Sequence, residues 1–194
     1  MIFSTWAHGN VTVAEHPAGG ALNDVDGRNY TAVVGYPTGW GKQFEGSGAI
    51  NITDTWFHIP IPTPTLANSN PVFIDQVFLL FTSTTAGVEG GSAGIPQIDL
   101  WDGPNRIAQM PTVHYLDGTP YGGTDLLLLG DWSALRTETD DAFRTTISNT
   151  FTPRDSANRR IRILFGLNMS IKVKFGGNGK ITFMAAGVNW SDQQ

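Results

Sequence analysis

The stretch Met169-Ser170-Ile171-Lys172-Val173-Lys174-Phe175 places an apolar residue at every odd position and a polar one at every even position. A period of two marks an extended strand with one buried face. Met169, Ile171, Val173 and Phe175 are therefore expected to face a core, with Lys172 and Lys174 outside. Gly176-Gly177-Asn178-Gly179 follows and supplies residues tolerant of positive φ, which reads as a hairpin turn. Ile181, Phe183 and Ala185 continue the inward face of the returning strand, within a segment read as Lys180–Val188. Upstream, Arg160 and Arg162 alternate with Ile161 and Ile163, which predicts a strand over Arg160–Leu167. If these strands are neighbours, their outer face carries a basic ladder of Arg160, Arg162, Lys172, Lys174 and Lys180.

Working outward from this third of the chain, strand signals recur between clusters of Gly, Pro, Asn and Asp. They fall at Val11–Ala14, Thr31–Val34, Thr55–Ile61, Val72–Thr82, Ile95–Trp101, Thr112–Tyr115, Asp125–Leu129 and Ile147–Phe151. Val77-Phe78-Leu79-Leu80-Phe81 is continuously apolar and reads as a central strand covered on both faces. The one helical candidate, Ser133 to Arg144, is polar and short. About ten short strands with 23 Gly and 11 Pro predict an all-β fold, a two-sheet antiparallel β-sandwich of jelly-roll-like wrapping, as a single domain over residues 1–194.

Composition narrows the functional classes. Cysteine is absent, which excludes disulfides, thiolate metal sites and thiol nucleophiles. Charged residues make up 15% and the net charge is −5, which argues against nucleic acid as a partner. The basic residues are concentrated after residue 135 and the acidic ones before it, which favours one interleaved domain over two. No apolar run approaches the ~20 residues of a membrane-spanning helix. The opening Met1-Ile2-Phe3-Ser4-Thr5-Trp6 lacks the basic and apolar regions of a signal peptide. The expected location is cytoplasmic, or outside by a non-classical export route.

Four patches carry a family resemblance. They are Trp6-Ala7-His8-Gly9-Asn10; Trp56-Phe57-His58-Ile59-Pro60-Ile61-Pro62-Thr63-Pro64; Asp102-Gly103-Pro104-Asn105-Arg106; and Phe165 to Ile171 continued by Ile181 to Gly187. Together they resemble an uncharacterised bacterial all-β domain family. The resemblance implies a small all-β domain and brings with it no activity, cofactor or catalytic residue.

The candidate sites follow from residue chemistry. Trp6 and His8 are two apart, as are Trp56 and His58, so each pair projects to one side of a strand. If the two segments meet, two indoles and two imidazoles form a ligand-binding or metal-binding cluster; the alternative is packing, with each His bonded to backbone. Trp101, Asp102, Asn105 and Arg106 form either a tight turn or a polar recognition loop. Asp24 and Asp26, in Asn23-Asp24-Val25-Asp26-Gly27, resemble the opening of a calcium loop, but no Glu closes it; calcium is the single cofactor considered. Trp40, Trp101, Tyr115, Tyr121 and Trp132 lie beside Gly, Asp or Pro and suit a sugar-stacking platform. No catalytic residue is identified. Three functions compete: a non-catalytic structural or interaction module that binds itself as a homo-oligomer, a lectin-like glycan binder, and an enzyme acting on polysaccharide.

Overall fold

Buried residues alternate with more accessible ones over 55–61 and 77–82 of the computed structural model, whereas 181–191 is buried at nearly every position; the structure describes residues 2–15, 34–39, 41–46, 53–64, 66–67, 70–83, 91–111, 150–155, 157–177 and 179–192. In chain order the strands are β1 (Ile2–His8), β2 (Val13–Ala14), β3 (Val34–Thr38), β4 (Gly41–Glu45), β5 (Thr53–Ile61), β6 (Leu66–Ala67), β7 (Asn70–Pro71), β8 (Phe73–Ser83), β9 (Gly91–Asp102), β10 (Asn105–Pro111), β11 (Thr150–Phe151), β12 (Ile161–Arg162), β13 (Leu167–Gly177) and β14 (Lys180–Ser191). A single 3₁₀ turn, Gly9–Val11, is the only helical element among the described residues. No helix among them is long and apolar enough to cross a membrane.

Apart from β6 and β7, which pair only with each other, the strands form two antiparallel sheets, so the all-β sandwich expected from the period of two is present. A seven-stranded sheet runs β11-β8-β14-β4-β3, with β1 also on β14 and β12 also on β8. A five-stranded sheet runs β10-β9-β13-β5-β2. Their inner faces share one core. Val77, Leu79, Phe81, Phe183 and Trp190 come from the first sheet, and Phe57, Ile59, Ile98, Leu100, Met169 and Ile171 from the second. Phe44 and Phe57 face each other across the sheets with ring centroids 4.5 Å apart, and Phe57 meets Phe183 at 5.3 Å. Tilted aromatic contacts of this kind stabilise by roughly 0.5–1.5 kcal/mol each beyond the area they bury.

Several expectations are corrected. The segment Gly176–Gly179 does not close a hairpin: β13 pairs with β5 and β9, whereas β14 pairs with β1, β4 and β8. The turn therefore carries the chain from one sheet to the other. Met169, Ile171, Val173, Phe175, Ile181 and Phe183 face inward as expected, but Ala185 does not: a register shift after Phe183 turns Ala186, Val188 and Trp190 into the core instead. Period two also does not say which sheet a strand joins. The basic ladder is dispersed for the same reason. Lys172 belongs to the five-stranded sheet and Lys180 to the seven-stranded one, and the Arg160 Nε donates to Asp75 at 2.8 Å. The predicted strand Arg160–Leu167 is also shortened to Ile161–Arg162. Its next residues are drawn away to the carboxylate of Asp102.

The continuous apolar run in β8 is explained by two different covers. Val77, Leu79 and Phe81 are fully buried in the core. Phe78 and Leu80 point to the outer face and are half-buried there, where the indole of Trp6 stacks on Phe78 at 5.4 Å and an interplanar angle of 19°. Trp6 pairs with Gly187 in register. A Cβ on Gly187 would fall 2.6 Å from the indole, so the missing side chain makes room for the ring.

Candidate functional site

The outer face of the five-stranded sheet gathers polar and aromatic groups in rows. Across β5, β13 and β9 the register aligns Trp56–Lys172–Gln97 and His58–Ser170–Asp99, then Pro60–Asn168–Trp101. Because Phe57, Ile59, Ile98, Leu100, Met169 and Ile171 are held in the core, the alternate residues must point outward. Glu15, just past β2, joins the face through a bond from its backbone N–H to the Trp56 carbonyl. The result is an open groove of about 350 Å³ lined by Glu15, Trp56, His58, Asp99, Trp101, Gly103, Asn168 and Ser170.

Hydrogen bonds fix the floor. The Asn168 side-chain amide donates to Ser170 Oγ at 3.2 Å, and Ser170 Oγ lies 3.0 Å from His58 Nδ1. Asp99 accepts from the Gln97 amide at 2.9 Å and meets the Arg106 guanidinium at 3.6 Å. Asp99 is only 3% exposed although its neighbours line the groove. The two indoles stand at opposite corners. Two inter-strand steps and four residues along β13 separate their backbones by roughly 17 Å. Ser170 is 4% exposed, so its hydroxyl is poorly placed to attack a substrate despite the imidazole beside it.

Trp6, His8, Trp56 and His58 do not converge into one cluster. Trp6 and His8 lie on the outer face of the seven-stranded sheet and Trp56 and His58 on that of the five-stranded sheet, with the core between them. The reason is Gly9. A Cβ there would fall 1.8 Å from the Phe183 carbonyl oxygen, and this close approach lets the chain turn from β1 in one sheet to β2 in the other. His8 caps that turn, its Nδ1 accepting the Asn10 N–H at 3.2 Å. The Trp-Ala-His-Gly-Asn patch is thus a corner of the sandwich.

Asp102 has a similar fate. Its carboxylate accepts the backbone N–H groups of Leu164, Phe165 and Gly166 at 2.8, 2.7 and 2.9 Å. Gly103 at φ +56 and Pro104 form the two-residue loop that pairs Asp102 with Asn105, in the manner of a turn with Gly at its first central position. Asn105 and Arg106 are exposed beyond it, with Arg106 reaching back to Asp99. Of the predicted residues, then, Trp56, His58 and Trp101 line the groove, Arg106 meets the groove-lining Asp99, and Asp102 is committed to backbone. Asp24, Asp26, Trp40, Tyr115, Tyr121, Trp132 and the helical candidate at 133–144 lie outside the described residues.

Glu15, Asn168 and Ser170 are not singled out by the sequence patterns. The signal available was the even-numbered polar set of β13, but their meeting with β5 and β9 depends on register. Among the described residues, no group of three or more His, Asp or Glu is placed to hold a metal ion. Comparison with family models, curated proteins and solved structures found no match to this chain.

Proposed function

We propose that this chain is a non-catalytic binding module that takes carbohydrate in the groove between Trp56 and Trp101. The observation that carries the reading is the pairing of two half-buried indoles with a hydrogen-bonded polar floor of His58, Asn168, Ser170 and Asp99. Sugars present apolar C–H faces that stack on indole and hydroxyls that need both donors and acceptors. A binding site of a few fixed polar groups among aromatic walls meets both needs. The strand orders β4-β14-β8-β11 and β5-β13-β9-β10 support a jelly-roll wrapping, since the successions β4–β5, β8–β9 and β13–β14 all change sheet. Lectin domains are among the uses of that architecture, an analogy of fold alone.

Hydrolysis is less well supported. Glu15 and Asp99 are three strands apart, roughly 16 Å between backbones on regular sheet spacing, and Asp99 is engaged by Arg106 and Gln97. Titration calorimetry against soluble neutral oligosaccharides tests the binding reading directly. Heat of binding that disappears in Trp56→Ala and Trp101→Ala is the expected result, and silence across a broad glycan panel sinks it.

A second reading, self-association, rests on a different face. Trp6 is 47% exposed above Phe78, and Leu80 lies on the same side of β8. A flat aromatic plate suits a self-complementary dimer contact. Light scattering at high concentration checks it: a strict monomer, or an oligomer unaffected by Trp6→Ser, removes this reading.

A further inference from the structure

We infer that Ser170 locks His58 as its Nε2–H tautomer, making the imidazole a fixed donor opposite the Asp99 acceptor, so that one row of the groove engages two sugar hydroxyls. The inference rests on the carbohydrate reading of the groove for its ligand class, but its first half stands on hydrogen-bond geometry alone.

The argument is one of proton counting. A serine hydroxyl has one proton to give and two lone pairs to accept with. Ser170 Oγ already accepts from Asn168 Nδ2 at 3.2 Å. Its own proton needs an acceptor, and the one bonded to it among the described residues is His58 Nδ1 at 3.0 Å. Nδ1 is then a lone pair, and the ring proton sits on Nε2, because a neutral imidazole carries one N–H. Ser170 is 4% exposed, so water does not compete readily for the hydroxyl. The Nε2–H is left for whatever enters the groove that His58 lines.

Asp99 occupies the same row, in register with Ser170 across from His58. Its two side-chain partners, Gln97 and Arg106, both approach as donors, which fixes it as an acceptor. One row therefore offers a donor and an acceptor about two strand spacings apart, roughly 10 Å between backbones. A sugar hydroxyl can satisfy either, being both donor and acceptor. Ser170 and Asn168 act through His58 and are positioning residues.

The test uses the full chain labelled with ¹⁵N-histidine. Long-range ¹H–¹⁵N correlation at pH 8 distinguishes the two tautomers of His58. The expected pattern is Nε2–H, turning to a mixture in Ser170→Ala and returning in Ser170→Thr, which keeps the hydroxyl. Nδ1–H in the unmodified chain overturns the relay, and that measurement decides even if Ser170→Ala fails to fold. Calorimetry then measures binding of cellohexaose and mannohexaose. Binding weakened about tenfold by Ser170→Ala and kept by Ser170→Thr is the expected outcome. Binding unchanged by Ser170→Ala overturns the donor role of His58 while leaving the tautomer result intact. If His58 is Nε2–H and no hexasaccharide binds, the carbohydrate reading fails and the relay survives.

Discussion

Two segments of this molecule carry the same Trp-x-His pattern and use it differently. In β1, Trp6 lies flat over Gly187 and Phe78, and His8 turns its Nδ1 to the backbone N–H of Asn10. In β5, Trp56 stands at the edge of a groove, and His58 turns its Nδ1 to the side chain of Ser170. In both strands the residue between them, Ala7 or Phe57, is buried in the core, so local geometry is alike. What differs is the neighbouring strand. β1 lies beside β14, which offers a glycine at the position opposite the indole; β5 lies beside β13, which offers Lys172 and Ser170. A backbone-bonded imidazole shapes a corner, while one bonded to a side chain on an open face keeps a donor for a ligand.

The sharpest way to break this contrast is at Gly9, where the β1 segment leaves its sheet. Gly9→Ala drives a Cβ into the Phe183 carbonyl, and overpacking against backbone costs about 3 kcal/mol. A calorimetric Tm lower by about 6–12 °C is expected for a chain of this size. A Tm within a degree of the unmodified chain means the corner is not held as described. The next test exchanges the two tryptophans. Trp6→Ala loses the stack on Phe78, with an expected destabilisation of about 2 kcal/mol and unchanged affinity for oligosaccharide. Trp56→Ala reverses that pattern, weakening binding about tenfold or more at nearly constant Tm. Equal behaviour of the two variants in both assays dissolves the comparison.

The histidines give a smaller effect of the same form. Removing the His8 cap in His8→Ala costs about 1 kcal/mol, and Asn at position 8, a good capping residue, restores most of it. His58→Ala is expected to leave stability alone and reduce binding. Chemical denaturation of the four proteins side by side decides. The smallest effect belongs to a turn on neither face and calibrates the rest. The Arg159 backbone N–H, followed by its guanidinium, holds the Asp155 carboxyl below its ordinary value. A depressed folded-state value adds stability that is present above the unfolded carboxylate's range and is lost as the pH falls through the folded one. Asp155→Asn therefore lowers Tm slightly at pH 7, by about 2 °C at most because the site is exposed, and the difference closes below about pH 4. A gap that persists at pH 2 shows that the charge is not what matters there.

Some of this architecture was legible beforehand. The alternation from Met169 to Phe175 identified a strand and its buried face, and all four of its apolar residues are in the core. The extent of β1 is hard to read from sequence because its inward residues, Phe3, Thr5 and Ala7, are a poor apolar set. Thr5 is tolerated there since its hydroxyl accepts from the Trp190 indole N–H at 2.8 Å and donates to the Pro62 carbonyl at 2.7 Å. β10 was hidden by its polar start, Asn105-Arg106, and by the turn chemistry just before it. In the groove, Trp56 and His58 were visible as a pair on one side of a strand. Asn168 and Ser170 looked like ordinary solvent-facing residues.

The chain's own order of residues determined that it is built of strands, which side of β13 is buried, and that Asp102-Gly103-Pro104-Asn105 is a turn, because these follow from periodicity and φ preferences over a few neighbours. Only the tertiary structure decided which sheet each strand joins, that the two Trp-x-His pairs stand on opposite faces, and that His58, Ser170 and Asp99 share a row. Those facts depend on register between strands far apart in sequence, and a shift of two residues along β13 would keep every core residue inward while changing each partner on the outer face.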